Sequence, residues 1–332
     1  NVVEKIVDNP KIYSVLLPLP ENPLLSLNSY VIRTEERNLV IDTGFNREEC
    51  YRALTEGFEE LGIDIEDTDF FITHFHGDHC GTVGRIAGER SRIFMSEKDY
   101  SYLVGDFEDA TWEDIESVYV EEGFPTDIVC RLKSSNQAKK YRPDRLFKAV
   151  TLQDRDVIRL GDAELVCMLT PGHTPGHMCL YLPEKKILFS GDHVLFDITP
   201  NITSWMGIAD SLGDYMQSLE MIKDLDVEIT LAAHRDSRGN LRERADEILE
   251  HHRIRLHDTA EVLRESERPL NAYEIAQRMK WNLRGRSWDS FPDNQKWFAM
   301  GETMSHIDYL VKRDFILKQI DTESGIYVYS LK

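Results

Sequence analysis

The sequence predicts a mixed α/β protein, and three observations carry that prediction. Short runs of aromatic and β-branched residues, bounded by glycine, proline or acidic turns, read as buried strands. Several of these runs stop abruptly at a histidine or an aspartate. Helical patterns dominate the last third: Leu241 to Arg264 reads as one long polar helix, and Thr303 to Arg313 places Met304, Ile307, Leu310 and Val311 on one face.

The first of the strand ends is the most informative. Asp67-Thr68-Asp69-Phe70-Phe71-Ile72-Thr73 reads as a polar turn followed by a buried strand, and His74-Phe75-His76-Gly77-Asp78-His79 follows at once. Imidazole nitrogen and carboxylate oxygen are the donors that zinc and similar metals prefer. The chain has only eleven histidines in 332 residues, so three within six positions point to a metal site. Gly77 is read as allowing a tight bend, with a helix starting after Gly81 and Gly84. Three more strands end in the same way. Leu165 to Leu169 runs into Thr170-Pro171-Gly172-His173-Thr174-Pro175-Gly176-His177, where proline and glycine break the strand. Lys186 to Ser190 runs into Gly191-Asp192-His193, and Val227 to Ala233 ends at His234.

HxHxDH, then Pro-Gly-His-Thr, then Ser-Gly-Asp, then a late strand-end histidine resembles the metallo-β-lactamase-fold hydrolase superfamily. Val40-Ile41-Asp42-Thr43-Gly44 is similar to that family's early strand-turn motif. The resemblance covers roughly residues 10 to 260 and implies an αββα sandwich, two packed mixed sheets with helices outside and metals at one edge. It implies that His74, His76 and His173 hold a first metal and that Asp78, His79 and His234 hold a second. Asp192 is implied as the carboxylate bridging both, and Asp42 as the brace of the metal loop. The cofactors expected are two divalent ions, zinc first, with iron or manganese as alternatives. The implied mechanism is hydrolysis by a hydroxide shared between the ions, with Asp78 and Asp192 as the catalytic carboxylates.

Other residues are read more plainly. His177 is a candidate support for His173, and His193 either faces substrate or caps its strand. Cys80 reads as a small buried hydrophobe rather than a nucleophile. Arg235, where many family members have glycine, reaches an anionic substrate or pairs with Asp236, the ion pair being the default reading. The five cysteines show no CxxC spacing and read as reduced thiols.

With 41% hydrophobic residues the chain can bury a large core in two domains. The division expected is 1–240 for the catalytic domain, with a helical insertion at about 100–150, and 241–332 for a linking helix and small C-terminal domain. In the insertion, Thr111 to Val120 reads as a capped helix, followed by the basic Lys139-Lys140-Tyr141-Arg142-Pro143-Asp144-Arg145; the segment reads as a lid or as ordinary packing. In the tail, a helical pattern from Pro269 to Met279 and a hairpin from Phe315 to Tyr329 resemble a winged helix. Trp281, Trp288, Phe291, Trp297 and Phe298 either wall an apolar pocket or form the small domain's core. This combination resembles the β-lactamase-like protein 2 branch of the superfamily, which contains an RNA endonuclease and thioesterases.

A net charge of −20 opposes a general nucleic-acid surface. From Glu267 to Lys332 ten basic residues face nine acidic ones, so the tail is a poor electrostatic match for DNA and is read as a packing, dimerisation or pocket-closing element. No run approaches the ~18 apolar residues of a membrane span, and the charged start, Asn1 to Lys5, does not read as a signal peptide. The expectation is a cytoplasmic hydrolase of a small-molecule ester or thioester. A metal-dependent ribonuclease or phosphodiesterase is the alternative, and a mononuclear iron persulfide dioxygenase the third reading.

Overall fold

The computed structural model describes residues 3–107, 110–133, 137–236, 239–283 and 285–332. The first two residues, on which part of the reading of the chain's start rests, lie outside that set. The strands are β1 (Val3–Asp8), β2 (Lys11–Pro18), β3 (Ser26–Arg33), β4 (Asn38–Ile41), β5 (Thr68–Ile72), β6 (Ile93–Ser96), β7 (Val150–Leu152), β8 (Val157–Leu160), β9 (Ala163–Leu169), β10 (Met178–Leu182), β11 (Ile187–Gly191), β12 (Ile229–Ala232), β13 (Ile316–Ile320) and β14 (Tyr327–Leu331). The helices are α1 (Glu48–Leu61), α2 (Gly77–Cys80), α3 (Val83–Ile86), α4 (Glu97–Phe107), α5 (Ala110–Glu121), α6 (Thr126–Lys133), α7 (Gln137–Lys140), α8 (Ser211–Ile222), α9 (Leu241–Arg264), α10 (Ala272–Arg278) and α11 (Asp293–Lys312).

The chain divides into two compact units. The first comprises Asn1–Phe107, Gln137–Pro200 and Ser218–Ala245. It contains a seven-stranded sheet in the order β1 to β7 and a five-stranded sheet in the order β12-β11-β10-β9-β8. Strands β4 to β7 run parallel, and β11 runs parallel to β12. The central strands are apolar on both faces, as a doubly covered sheet requires. Tyr30 and Ile32 of β3, Leu39 and Ile41 of β4 and Phe71 of β5 pack with Leu165, Cys167, Leu180 and Phe189 of the other sheet. Their neighbours Leu27, Val31, Val40, Phe70 and Ile72 point the other way, onto Leu54, Phe58 and Leu61 of α1. The period-two alternation thus fills an inter-sheet core and a sheet–helix core from the same strands, and the predicted α/β sandwich is the architecture found.

The second unit comprises Glu108–Asn136, Asn201–Gln217 and Asp246–Lys332. The insertion helices α5 and α6 therefore group with the C-terminal helices, while α4, α7 and the basic stretch belong to the first unit. Tyr119 of α5 stacks on Trp297 of α11 with centroids 3.8 Å apart, and Phe124 meets Tyr273 and Trp297 edge-on. Glu122, just after α5, accepts hydrogen bonds from Tyr329 Oη (2.6 Å) and Lys318 Nζ (2.7 Å) on the β13–β14 hairpin. Asn271 and Glu274 form a reciprocal capping box that starts α10. Most of the tail's aromatic residues are packed, but Phe298 and Phe315 are exposed. Helix α11 is longer than its sequence pattern suggested, because its first half, with Trp297 and Phe298, lacks an obvious apolar stripe. No helix among the described residues is long and apolar enough to cross a membrane.

Candidate metal centre

Parallel pairing brings strand ends to one edge, and the chemistry-bearing residues sit just past those ends. Asp42 follows β4, and His74 to His79 follow β5. Gly191 pairs with Ala232, so Asp192 and His234 leave β11 and β12 together. His173 lies in the loop between β9 and β10. The six residues of the first loop do not precede a helix as expected, since α2 begins at Gly77 itself. Gly77 serves close approach more than bending: a Cβ there would lie 3.3 Å from the Tyr141 carbonyl oxygen.

Three histidines converge first. His74 Nε2 lies 3.0 Å from His76 Nδ1, which lies 3.2 Å from His173 Nε2. A second set gathers beside it. His79 Nε2 is 3.3 Å from His234 Nε2, and Asp78 Oδ2 is 3.4 Å from His234 Nε2 and 3.7 Å from His79 Nε2. Asp192 stands between them, with Oδ2 3.5 Å from both His79 Nε2 and His173 Nε2. The groups His74–His76–His173, His74–His79–Asp192 and Asp78–His79–His234 each bring their donor atoms within 4.8 Å of one another.

The tautomers follow from the bonds behind the rings. Asp42 Oδ2 accepts from His79 Nδ1–H (2.7 Å), leaving the Nε2 lone pair inward. His234 Nδ1–H donates to the Ser26 carbonyl (2.8 Å), with the same result. Thr73 Oγ1–H donates to Asp42 Oδ2 (2.8 Å), so its lone pair accepts from His74 Nδ1–H (3.0 Å) and His74 Nε2 also points inward. Asp42 holds this arrangement from a left-handed backbone (φ +61°), fixed by Thr73 N–H on Oδ1 (2.9 Å) and by Ser29 Oγ–H on its carbonyl (2.7 Å).

The electrostatics point the same way. Burial, with neighbouring imidazoles adding to it, pushes His74 far below the ordinary histidine range and His76 down to about 3, so both remain lone-pair donors. Burial opposes charge at Asp78, but His79 and His234 outweigh it and hold the carboxyl at about 2. His79 shows the balance most clearly: burial disfavours its charge, yet Asp192, Asp42 and Asp78 raise it well above the usual value. Positive charge is therefore favoured at the centre of the cluster. Asp192 Oδ1 is buried 3.4 Å from His234 Nε2 and makes no hydrogen bond among the described residues. Inward lone pairs, three carboxylates and an orphaned carboxylate oxygen together fit divalent cations.

Neighbouring residues have definite places. His177 supports the centre from behind, accepting from the Asp192 N–H at Nε2 (3.1 Å) and contacting Thr170 Oγ1 at Nδ1 (2.9 Å). His193 is buried, and burial lowers it to about 3. In place of the ion pair, the guanidinium of Arg235, which has a left-handed backbone (φ +64°), donates to the Pro23 carbonyl (2.7 Å). Cys80 is buried, with its thiol pushed far up by burial, as an inert core residue should be. Thr73 carries no signal in the sequence, because its importance depends on partners brought in by folding.

The profile of the family described as Metallo-beta-lactamase superfamily matches residues 23–234. The chain is 29% identical over 226 residues to Acyl-coenzyme A thioesterase MBLAC2 of Homo sapiens, a match covering 64% of this chain and 74% of that protein. It is 29% identical over 275 residues to Beta-lactamase-like protein 2 homolog of Caenorhabditis elegans, covering 80% of this chain and 74% of the other. The crystal structure of a metallo-beta-lactamase family protein from Thermus thermophilus shares the fold with a TM-score of 0.78 at 24% identity, across 97% of this chain and 98% of that one.

Proposed function

The chain belongs to the metallo-beta-lactamase superfamily and is a hydrolase, and from that premise we propose that it cleaves an acyl thioester at a centre for two divalent ions. The observation that carries this reading is the position of Asp192. One of its oxygens is equidistant, at 3.5 Å, from a nitrogen of each histidine set. In this reading His74, His76 and His173 hold one ion, Asp78, His79 and His234 hold the other, and Asp192 serves both. Zinc suits nitrogen-rich sets of this kind, with iron or manganese as alternatives. Divalent ions at such a site supply Lewis acidity, lowering the pKa of a water from about 15.7 towards about 7 and polarising an acyl carbonyl.

The residues of the chain do the rest. Asp42, Thr73 and Ser26 fix the imidazole tautomers, so no reorganisation is needed during the reaction. Asp192 Oδ1, which makes no hydrogen bond among the described residues and lies 3.4 Å from His234 Nε2, would accept a hydrogen bond from the attacking water. Hydrolysis breaks the acyl C–S bond, leaving a carboxylate and a thiol. Support for a thioester comes from the human relative named an acyl-coenzyme A thioesterase. The C-terminal tail, read as winged-helix-like, is a packing, dimerisation or pocket-closing element in this account.

The test is metal content followed by a substrate panel of acyl-CoA thioesters, lactones, phosphodiesters and RNA. The expected result is about two divalent ions per chain and thioester turnover dominating the panel. One ion per chain at full activity overturns the paired-ion reading, and efficient RNA cleavage without thioesterase activity overturns the substrate reading.

A further inference from the structure

Asp99, the third residue of α4, is fully buried. Its carboxylate joins two loops that are far apart in the sequence. Oδ2 accepts from the Phe75 N–H (3.2 Å) and from Thr174 Oγ1–H (2.6 Å), and Oδ1 accepts from the Gly176 N–H (2.5 Å). Phe75 lies between His74 and His76, while Thr174 follows His173. All three bonds therefore grip the two loops that supply the first histidine set, one of which also carries Asp78 and His79. Among the described residues, none of these bonds reaches the loops of Asp192 or His234.

The fit is close on both sides. A Cβ on Gly176 would fall 2.5 Å from Asp99 N and from Ser96 Oγ. Asp99 is itself anchored, because its N–H donates to Ser96 Oγ (3.1 Å) at the end of β6. Asp42 holds His79 directly (2.7 Å) and reaches His74 through Thr73, so it orients rings of both sets, whereas Asp99 ties together the loops of His76 and His173.

We propose that Asp99 is the positioning residue of the His74–His76–His173 set, fixing the separation of its two loops and hence that set's affinity for its ion. This rests on the two-ion reading above. Removing the carboxylate strands two buried N–H groups and a hydroxyl without an acceptor, and the loops must then move to find partners. Partners behind a ligand typically change metal affinity by about 10- to 100-fold.

The experiment is a zinc titration of the metal-depleted full-length chain against a chromophoric chelator, alongside thermal melting of the same metal-depleted samples. His173→Ala and His234→Ala identify which binding step belongs to which set. Asp99→Asn keeps the size of the side chain but turns one acceptor into a donor. It is expected to weaken the His173-dependent step by about 10- to 100-fold and to leave the His234-dependent step within about twofold. Thr174→Val, which removes one donor and leaves the carboxylate, should shift the same step in the same direction by a few-fold. Equal weakening of both steps, tracking the melting temperature, would reduce Asp99 to a general structural residue and overturn the proposal, as would two unshifted steps. A wild-type chain that takes up one ion ends the two-ion reading itself and this assignment with it.

Discussion

Each unit contains a cluster of buried histidines, and the two clusters are built on opposite principles. In the first unit, lone pairs converge and carboxylates surround them: His74, His76 and His173 face one another, and Asp78 and Asp192 adjoin His79 and His234. In the second unit, His252 and His306 form a chain instead. His306 Nδ1–H donates to the Glu302 carbonyl (2.6 Å), so its Nε2 accepts from His252 Nδ1–H (3.2 Å). The nearby charge is Arg255, whose guanidinium pairs with Glu302 at 3.4 Å. Burial, with the neighbouring imidazole and Arg255 adding to it, pushes His252 well below the ordinary range, and burial takes His306 to about 3. Among the described residues, the groups able to hold an ion all lie in the first unit. Burying imidazoles together is therefore not enough. A cation site needs several lone pairs meeting at one point and carboxylates to offset the charge.

The comparison can be broken most directly at His76. His76→Ala is expected to lower kcat/KM by at least about 10³-fold with circular dichroism unchanged, since it removes a ligand of the proposed chemistry; a fully active variant would remove the mechanism. Asp42→Asn tests whether the orientation of the rings matters as much as their presence. Asparagine tolerates the left-handed backbone but cannot accept at both oxygens, so metal affinity measured by chelator competition should fall by about 10- to 100-fold.

In the second unit the opposite pattern is expected. His306→Ala should cost about 2 to 4 kcal/mol of stability in urea unfolding, from a cavity and a stranded donor, while metal stoichiometry and kcat per folded molecule stay the same. A loss of bound ion in that variant would show the two clusters to be less distinct than their geometry implies. The same residue also bears on acid sensitivity. Unfolded His306 takes up a proton near the ordinary 6.5, but the folded side chain does so only near 3. The unfolded state thus binds more protons between those values, and stability falls as pH drops through that window, by up to about 1.4 kcal/mol per pH unit for this group. His306→Gln should flatten the slope of stability against pH between about 6.5 and 3.

The first cluster was largely legible in the sequence and the second was not. Strand ends are visible because apolar runs stop sharply, and the ligands lie within a few positions of those stops. The singled-out His74, His76, Asp78, His79, His173, Asp192 and His234 meet at one place for that reason. Asp99 was invisible because it sits among Glu97 and Lys98 at a helix start, where an acidic residue normally means helix-end electrostatics. Its partners, Thr174 and Gly176, lie 75 and 77 residues away. The same limit hid the grouping of α5 with α11, which rests on Tyr119 and Trp297 meeting across long separation. The crowding of Gly77 by the Tyr141 backbone likewise leaves no trace in local sequence.

The two proposed ion sites also have a mechanical consequence. His74, His76, Asp78 and His79 hang from β5 in the seven-stranded sheet, whereas His173, Asp192 and His234 hang from β9, β11 and β12 in the five-stranded one. Each trio draws donors from both layers, so an ion in either one acts as a rivet through the sandwich. Free ion at 100 times its dissociation constant adds about 2.7 kcal/mol per site by mass action. In that two-ion reading the layers would separate only with loss of the rivet, and metal supply would set how long the folded protein survives as well as how fast it works.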